Sequence, residues 1–92
     1  MAEVLSMALF EHKGRVLVVR KKEDAASFAA RWLLPTAQVS DQDSAEEALS
    51  NHAYRDLNVQ IGNVEFADTL SILDETDGRR HVANVFRVVG YE

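Results

Sequence analysis

Three side chains near the middle of the chain, His52, Arg55 and Asp56, stand three and four positions apart, the spacing that places them on one face of a helix. Each type does distinct chemistry. An imidazole exchanges protons near neutral pH, a guanidinium grips phosphate through paired N–H groups, and a carboxylate offers oxygen to a hard cation. His52 and Asp56 are thus the catalytic candidates, Asp56 is the candidate metal ligand, and Arg55 is a candidate substrate contact. Each has a plainer reading. An acid near a helix end is commonly a solvated surface charge, and a histidine without an evident partner is commonly structural; His12 and His81 lie on other elements and form no ligand spacing with His52. Upstream, Arg20, Lys21 and Lys22 close an apolar run; Arg20 and Lys22 are candidate phosphate contacts, or serve only to keep a strand end soluble. Trp32, with Phe28, could stack on a base, although a single tryptophan beside Leu33 and Leu34 reads first as the anchor of a small core.

The elements that must hold these groups are marked by local pattern. Val4 to Phe10 is apolar, "EHKG" follows with Gly14 able to take a positive φ, and "RVLVVR" resumes, which signals a hairpin. The four apolar residues Val16 to Val19 predict a central strand covered on both faces. Lys21 to Arg31 reads as a connecting loop with at most one helical turn. The single proline, Pro35, closes "WLLP" and should interrupt pairing, with a turn after it. From Ser44 the pattern turns helical: Ala45, Ala48, Leu49, Ala53 and Leu57 form an apolar stripe. Ser44 and Glu47 match a capping box, Glu46 and Glu47 suit the positive end of the helix dipole, and Asn58 tolerates the left-handed conformation that ends helices. The helix is therefore placed at about Ser44 to Leu57. Beyond it, "VQIGNVEFADTLSIL" predicts a strand with a bulge or bend at Gly62 and Asn63, "DETDGRR" a turn at Asp77 and Gly78, and "HVANVFRVV" a closing strand. No linker or repeat divides residues 1–92, so one domain is expected, with a mixed sheet and at least one helix packed on it.

Composition narrows the partners. At 92 residues the chain is near the length where one core buries just enough surface to fold alone. Apolar residues at 47% and charged residues at 27% exclude a disordered or collagen-like chain. A net charge of −5 disfavours nucleic acid and anionic membrane surfaces. Absence of cysteine removes disulfides and thiolate-bound zinc, which makes the cytoplasm the expected compartment. The acid at Glu3 and the short apolar run after it argue against a signal peptide or a membrane span.

The stretch from Val16 to Val89 resembles a Nudix domain. The hallmark box of that family runs glycine, five residues, glutamate, seven residues, Arg-Glu, an aliphatic, any residue, Glu-Glu, any residue, glycine, an aliphatic. "RWLLP" at Arg31 to Pro35 looks like the approach to the box, "SAEEAL" at Ser44 to Leu49 resembles its helix start, and Val59 falls on the terminal aliphatic, all without a gap. The chemical positions differ. The glycine pair after the proline is Thr36-Ala37, the first glutamate is Asp43, the Arg-Glu pair is Asn51-His52, the Glu-Glu pair is Arg55-Asp56, and the last glycine is Asn58. Of the three helix carboxylates that the family uses to hold a divalent metal, Asp56 alone remains an acid.

The resemblance implies a Nudix-like α/β sandwich with the box helix at about 44–57, without the further C-terminal helix usual in relatives, in a domain that could be part of a longer protein. A second copy or an additional domain would then cover the other sheet face. With His52 neutral, the helix face carries about zero charge where the family carries about minus three, so magnesium should bind poorly. No cofactor is expected, and Mg²⁺ only if the domain is active. Without the ion, phosphoanhydride cleavage loses terms on the order of several kcal/mol. The expected function is thus recognition of a nucleotide or phosphate, or assembly, with impaired or absent hydrolysis. One alternative is an active hydrolase of nucleoside diphosphate-linked substrates that uses Asp56 with Glu65, Asp68 or Glu75; another is a purely structural dimerisation module.

Overall fold

The computed structural model describes residues 4–25, 28–40 and 42–91. Strand β1 (Val4–Leu9) runs through the middle of a four-stranded mixed sheet. On one side it pairs antiparallel with β6 (Thr36–Gln38), through Leu5 opposite Gln38 and Met7 opposite Thr36. On the other it pairs parallel with β8 (Arg79–Val88), whose outer neighbour is the antiparallel edge strand β7 (Val64–Asp74).

Alternation along the strands divides the apolar residues between two faces. Ala8, Phe10, Ala37, Phe86 and Val88 pack against Ala48, Leu49 and Ala53 of the helical segment. Leu5, Met7, Ala83 and Val85 pack on the other face against Phe28, with Leu33, Leu34 and Ile72 around them. The expected sandwich is therefore present, with a helix over one face and the segment 28–34 over the other. Ser6, fully buried, fastens the first layer by donating to the Ala45 carbonyl at 3.0 Å.

Helix α1 spans Ala45–His52, and Ala53–Leu57 continue it as a π-helical turn. Among the described residues this is the one helical stretch. Its ends lie where the sequence puts them. The Ser44 hydroxyl accepts the Glu47 N–H at 3.1 Å, and Asn58 closes the segment in the left-handed region at φ 55 and ψ 38. The turn at Asp77-Gly78 is likewise present, with Gly78 at φ 71.

Several strand expectations need correction. Val16 to Val19 is not a covered central strand. Arg15–Val16 (β3) pairs only with Glu11–His12 (β2), Val19–Arg20 (β4) pairs only with Trp32–Leu33 (β5), and Val16, Leu17 and Val18 are exposed. The hairpin leaves the main sheet after Phe10, so three of the four apolar residues lie without cover. Pairing resumes directly after Pro35 instead of turning, because the proline's carbonyl accepts the Ala8 N–H at 2.9 Å and its missing N–H falls just before β6 begins. The bulge of β7 sits at Ala67, between Phe66 and Asp68. Gly62 and Asn63 precede β7 and form no bulge within it; the Gly62 N–H donates to the Gly90 carbonyl at 2.7 Å, where a Cβ would come within 3.1 Å of that oxygen. Trp32 is 65% exposed, so it anchors no core; buried Phe28 does that. The loop from Lys21 contains turns and no helical turn among its described residues; its residues 26 and 27, like Glu3, lie outside the description. No helix among the described residues is long and apolar enough to cross a membrane.

Candidate functional site

The π turn, the end of α1, strand β6 and the segment around Lys21 and Phe28 enclose a groove of about 370 Å³. Lys21, Thr36, Gln38, Asp43, Asn51, His52, Arg55 and Asp56 supply its polar lining. The helix therefore brings His52, Arg55 and Asp56 together, as their spacing predicts. A π turn widens the helix by one residue and is common where side chains must be re-aimed toward a site.

Asp56 is at the centre of the trio. His52 Nδ1 lies 2.7 Å from its Oδ2, and Arg55 Nε lies 3.7 Å from its Oδ1, so each carboxylate oxygen already faces a nitrogen. Burial pushes the His52 imidazole below its ordinary pKa; Asp56 opposes the shift, while Arg55 and Lys21 add to it. The Asp56 contact at 2.7 Å places a proton on Nδ1, and the lowered pKa favours the form in which Nε2 is an acceptor. His52 thus has the partner that the sequence reading did not find, although the four-residue spacing of His52 and Asp56 was the available signal.

The other candidates disperse. Arg20 lies outside the groove and approaches Glu23 at 3.8 Å. Lys22 is exposed, and its carbonyl accepts the N–H groups of Ala25 and Ala30. Lys21, between them, is the one that lines the groove, because adjacent side chains on an extended backbone point to opposite sides. Trp32 faces a second hollow of about 440 Å³ with Arg31, Asp74, Glu75 and Thr76. Asp43 reaches the groove but also accepts from Ser40 at 3.1 Å.

Magnesium asks for a near-octahedral shell of oxygens. Here one carboxylate, already paired with an imidazole and a guanidinium, stands where three would be needed. The helix face does not fit that ion.

No family model matches the sequence, and no curated protein matches it. Solved structures do. A MutT Nudix hydrolase from Burkholderia pseudomallei is similar over 100% of this chain and 70% of its own, with a TM-score of 0.85 and 21% identity. The MutT protein from Methanosarcina mazei gives a TM-score of 0.76 at 20% identity over 99% and 75% of the two chains. The ORF135 protein of E. coli gives 0.77 at 17% identity over 99% and 63%. The fold is that of the Nudix hydrolases. At these identities the likeness speaks for fold alone, and the chain spans about two thirds to three quarters of those neighbours. The stretch that resembles the Nudix box, Ser44 to Leu49, opens the helical segment that lines the groove, which makes the groove the candidate site.

Proposed function

We propose that this Nudix-fold domain binds a nucleotide or a similar phosphate compound in the groove beside α1, without a divalent cation and with little or no hydrolysis. The observation that carries this reading is the state of Asp56, held by His52 at 2.7 Å and faced by Arg55 at 3.7 Å. The Arg55 guanidinium beside Asp56 gives an anion a charged, directional contact, and Lys21 supplies a second cation from another wall. Holding a phosphate is within reach of this set, whereas charge neutralisation and water activation by a divalent ion lack the carboxylates that would hold it. The chain's net charge of −5 favours a small ligand over a polyanion, and the cytoplasm is its proposed setting.

The alternative of metal-dependent hydrolysis through Glu65, Asp68 or Glu75 gains no support from their positions. Glu65 and Asp68 are exposed on β7, Glu75 is paired with Arg31, and none of the three lines the groove. The third reading, a structural module, draws on the exposed apolar side chains Val4, Phe66, Leu70, Leu73 and Val82. Within our reading a second copy covers them, and light scattering across a concentration series should give a dimer; a monomer throughout would leave an additional domain as the cover.

The deciding experiment is a nucleotide panel followed by thermal shift, with and without Mg²⁺, together with release of phosphate. The expected result is stabilisation that persists in excess chelator and release at background level. Magnesium-dependent turnover at ordinary enzymatic rates that stops in Asp56→Ala would overturn the reading, as would no shift with any nucleotide.

A further inference from the structure

The β7–β8 hairpin carries a second polar cluster, away from the groove. Asp74 ends β7, Asp77 sits in the turn, and His81 is the third residue of β8; one ligand atom from each lies within 4.8 Å of the others. His81 Nε2 is 3.0 Å from Asp77 Oδ2 and 3.9 Å from Asp74 Oδ2. Asp74 is fully buried. Its Oδ1 accepts the N–H groups of Phe28 at 3.0 Å and Thr76 at 2.9 Å, whereas its Oδ2 has no hydrogen-bond partner among the described residues. A buried carboxylate oxygen left unpaired costs on the order of 1–3 kcal/mol or more, so a fold retains one where something compensates it.

We propose that Asp74, Asp77 and His81 form a binding site for a first-row divalent ion, with zinc the best match. Ligands at zinc distances in a tetrahedral arrangement stand roughly 3.4 Å from one another, a value that the observed 3.0 and 3.9 Å straddle. One imidazole with two carboxylates suits zinc and its neighbours and disfavours magnesium and calcium, which ask for oxygen alone. The unpaired Asp74 Oδ2 supplies one ligand without breaking any bond, and Asp77 gives up only its contact with His81. Asp77 is about one-third exposed, which provides the way in and leaves a fourth position for water.

Binding there has a mechanical consequence. Asp74 and Thr76 hold the segment that starts at Phe28, a residue in the left-handed region at φ 50, through the Phe28 and Ala29 N–H groups. Phe28 also lines the groove beside α1. An ion on the hairpin therefore stiffens a wall of the groove without entering it.

The test titrates the chelator-stripped protein with Zn²⁺ by calorimetry and with Co²⁺ by visible absorption, with Mg²⁺ as a control. We expect one equivalent of zinc per chain, a rise in Tm, tetrahedral cobalt bands and no response to Mg²⁺. Asp77→Asn lies at the exposed end of the cluster and should stay folded by circular dichroism while zinc affinity falls by at least the roughly tenfold seen when even a supporting partner of a ligand is lost. His81→Gln should abolish the cobalt bands. No zinc binding in the unaltered chain overturns the proposal, and so does affinity unchanged in Asp77→Asn. Loss of binding in His52→Gln with retention in Asp77→Asn would put the ion in the groove and overturn it equally.

Discussion

His52 is the side chain with the most readable response to pH. Burial holds its folded pKa below the ordinary histidine value. On acidification the unfolded chain therefore takes up this proton before the folded chain does. The position's contribution to stability is complete above about pH 6.5 and shrinks as pH falls through 6.5 toward the lower folded value. Urea midpoints at pH 7.5 and 5.5 should show the unaltered chain losing stability relative to His52→Gln at the lower pH. A second prediction reverses the helix face. His52→Glu with Arg55→Glu restores three acids beside one another, and Mn²⁺ binding followed by electron paramagnetic resonance should appear where the unaltered groove gives none. In the opposite direction, Arg55→Ala removes the charged contact and should weaken a bound nucleotide about tenfold or more, the size of a lost charge-assisted hydrogen bond. The types and spacing of this trio were legible in the sequence. The choice of Lys21 over Arg20 and Lys22 was not, since it depends on which way the backbone leaves β4.

The helical segment is the element whose limits the sequence marks best, because caps are contacts between near neighbours. Ser44→Ala removes the bond to the Glu47 N–H and should cost about 1 kcal/mol in chemical denaturation. Asn58 stands at φ 55, so Asn58→Ala should cost about 1 kcal/mol, whereas Asn58→Gly should be close to neutral. The π geometry of Ala53–Leu57 had no such marker. The Ala53 N–H faces both the Leu49 and Ser50 carbonyls, and the apolar stripe reads the same in either winding. The hairpin strands were legible as strands but not by location, since apolar runs such as Val16 to Val19 report strand preference and say nothing of what lies over them.

The whole domain rests on two small clusters separated by one sheet. Leu49, 1% exposed, is the largest fully buried aliphatic side chain on the helix side, and Leu49→Ala should cost about 2–5 kcal/mol, a large part of the stability of a domain this small. Calorimetric unfolding should show a sharply lowered Tm or no cooperative transition. The edge strand β7 has an exposed apolar population on both sides of its bulge, including Phe66 and Leu70, which a domain of this size does not bury alone.

From the linear chain followed everything that neighbours enforce on one another: the helix and its two caps, the Asp77-Gly78 turn, the mixed α/β class, and a helix face short of the acids a hard cation needs. Three-dimensional closure was required for everything that joins distant segments. It set Asp74 under the Phe28 N–H at a separation of 46 residues, and placed Lys21 across from Arg55. It also carried Val16 to Val18 away from the sheet into solvent. Local order is encoded within a few residues by propensity and capping, whereas long-range contacts depend on how all the apolar surfaces share one limited core, and that sharing is a property of the folded whole.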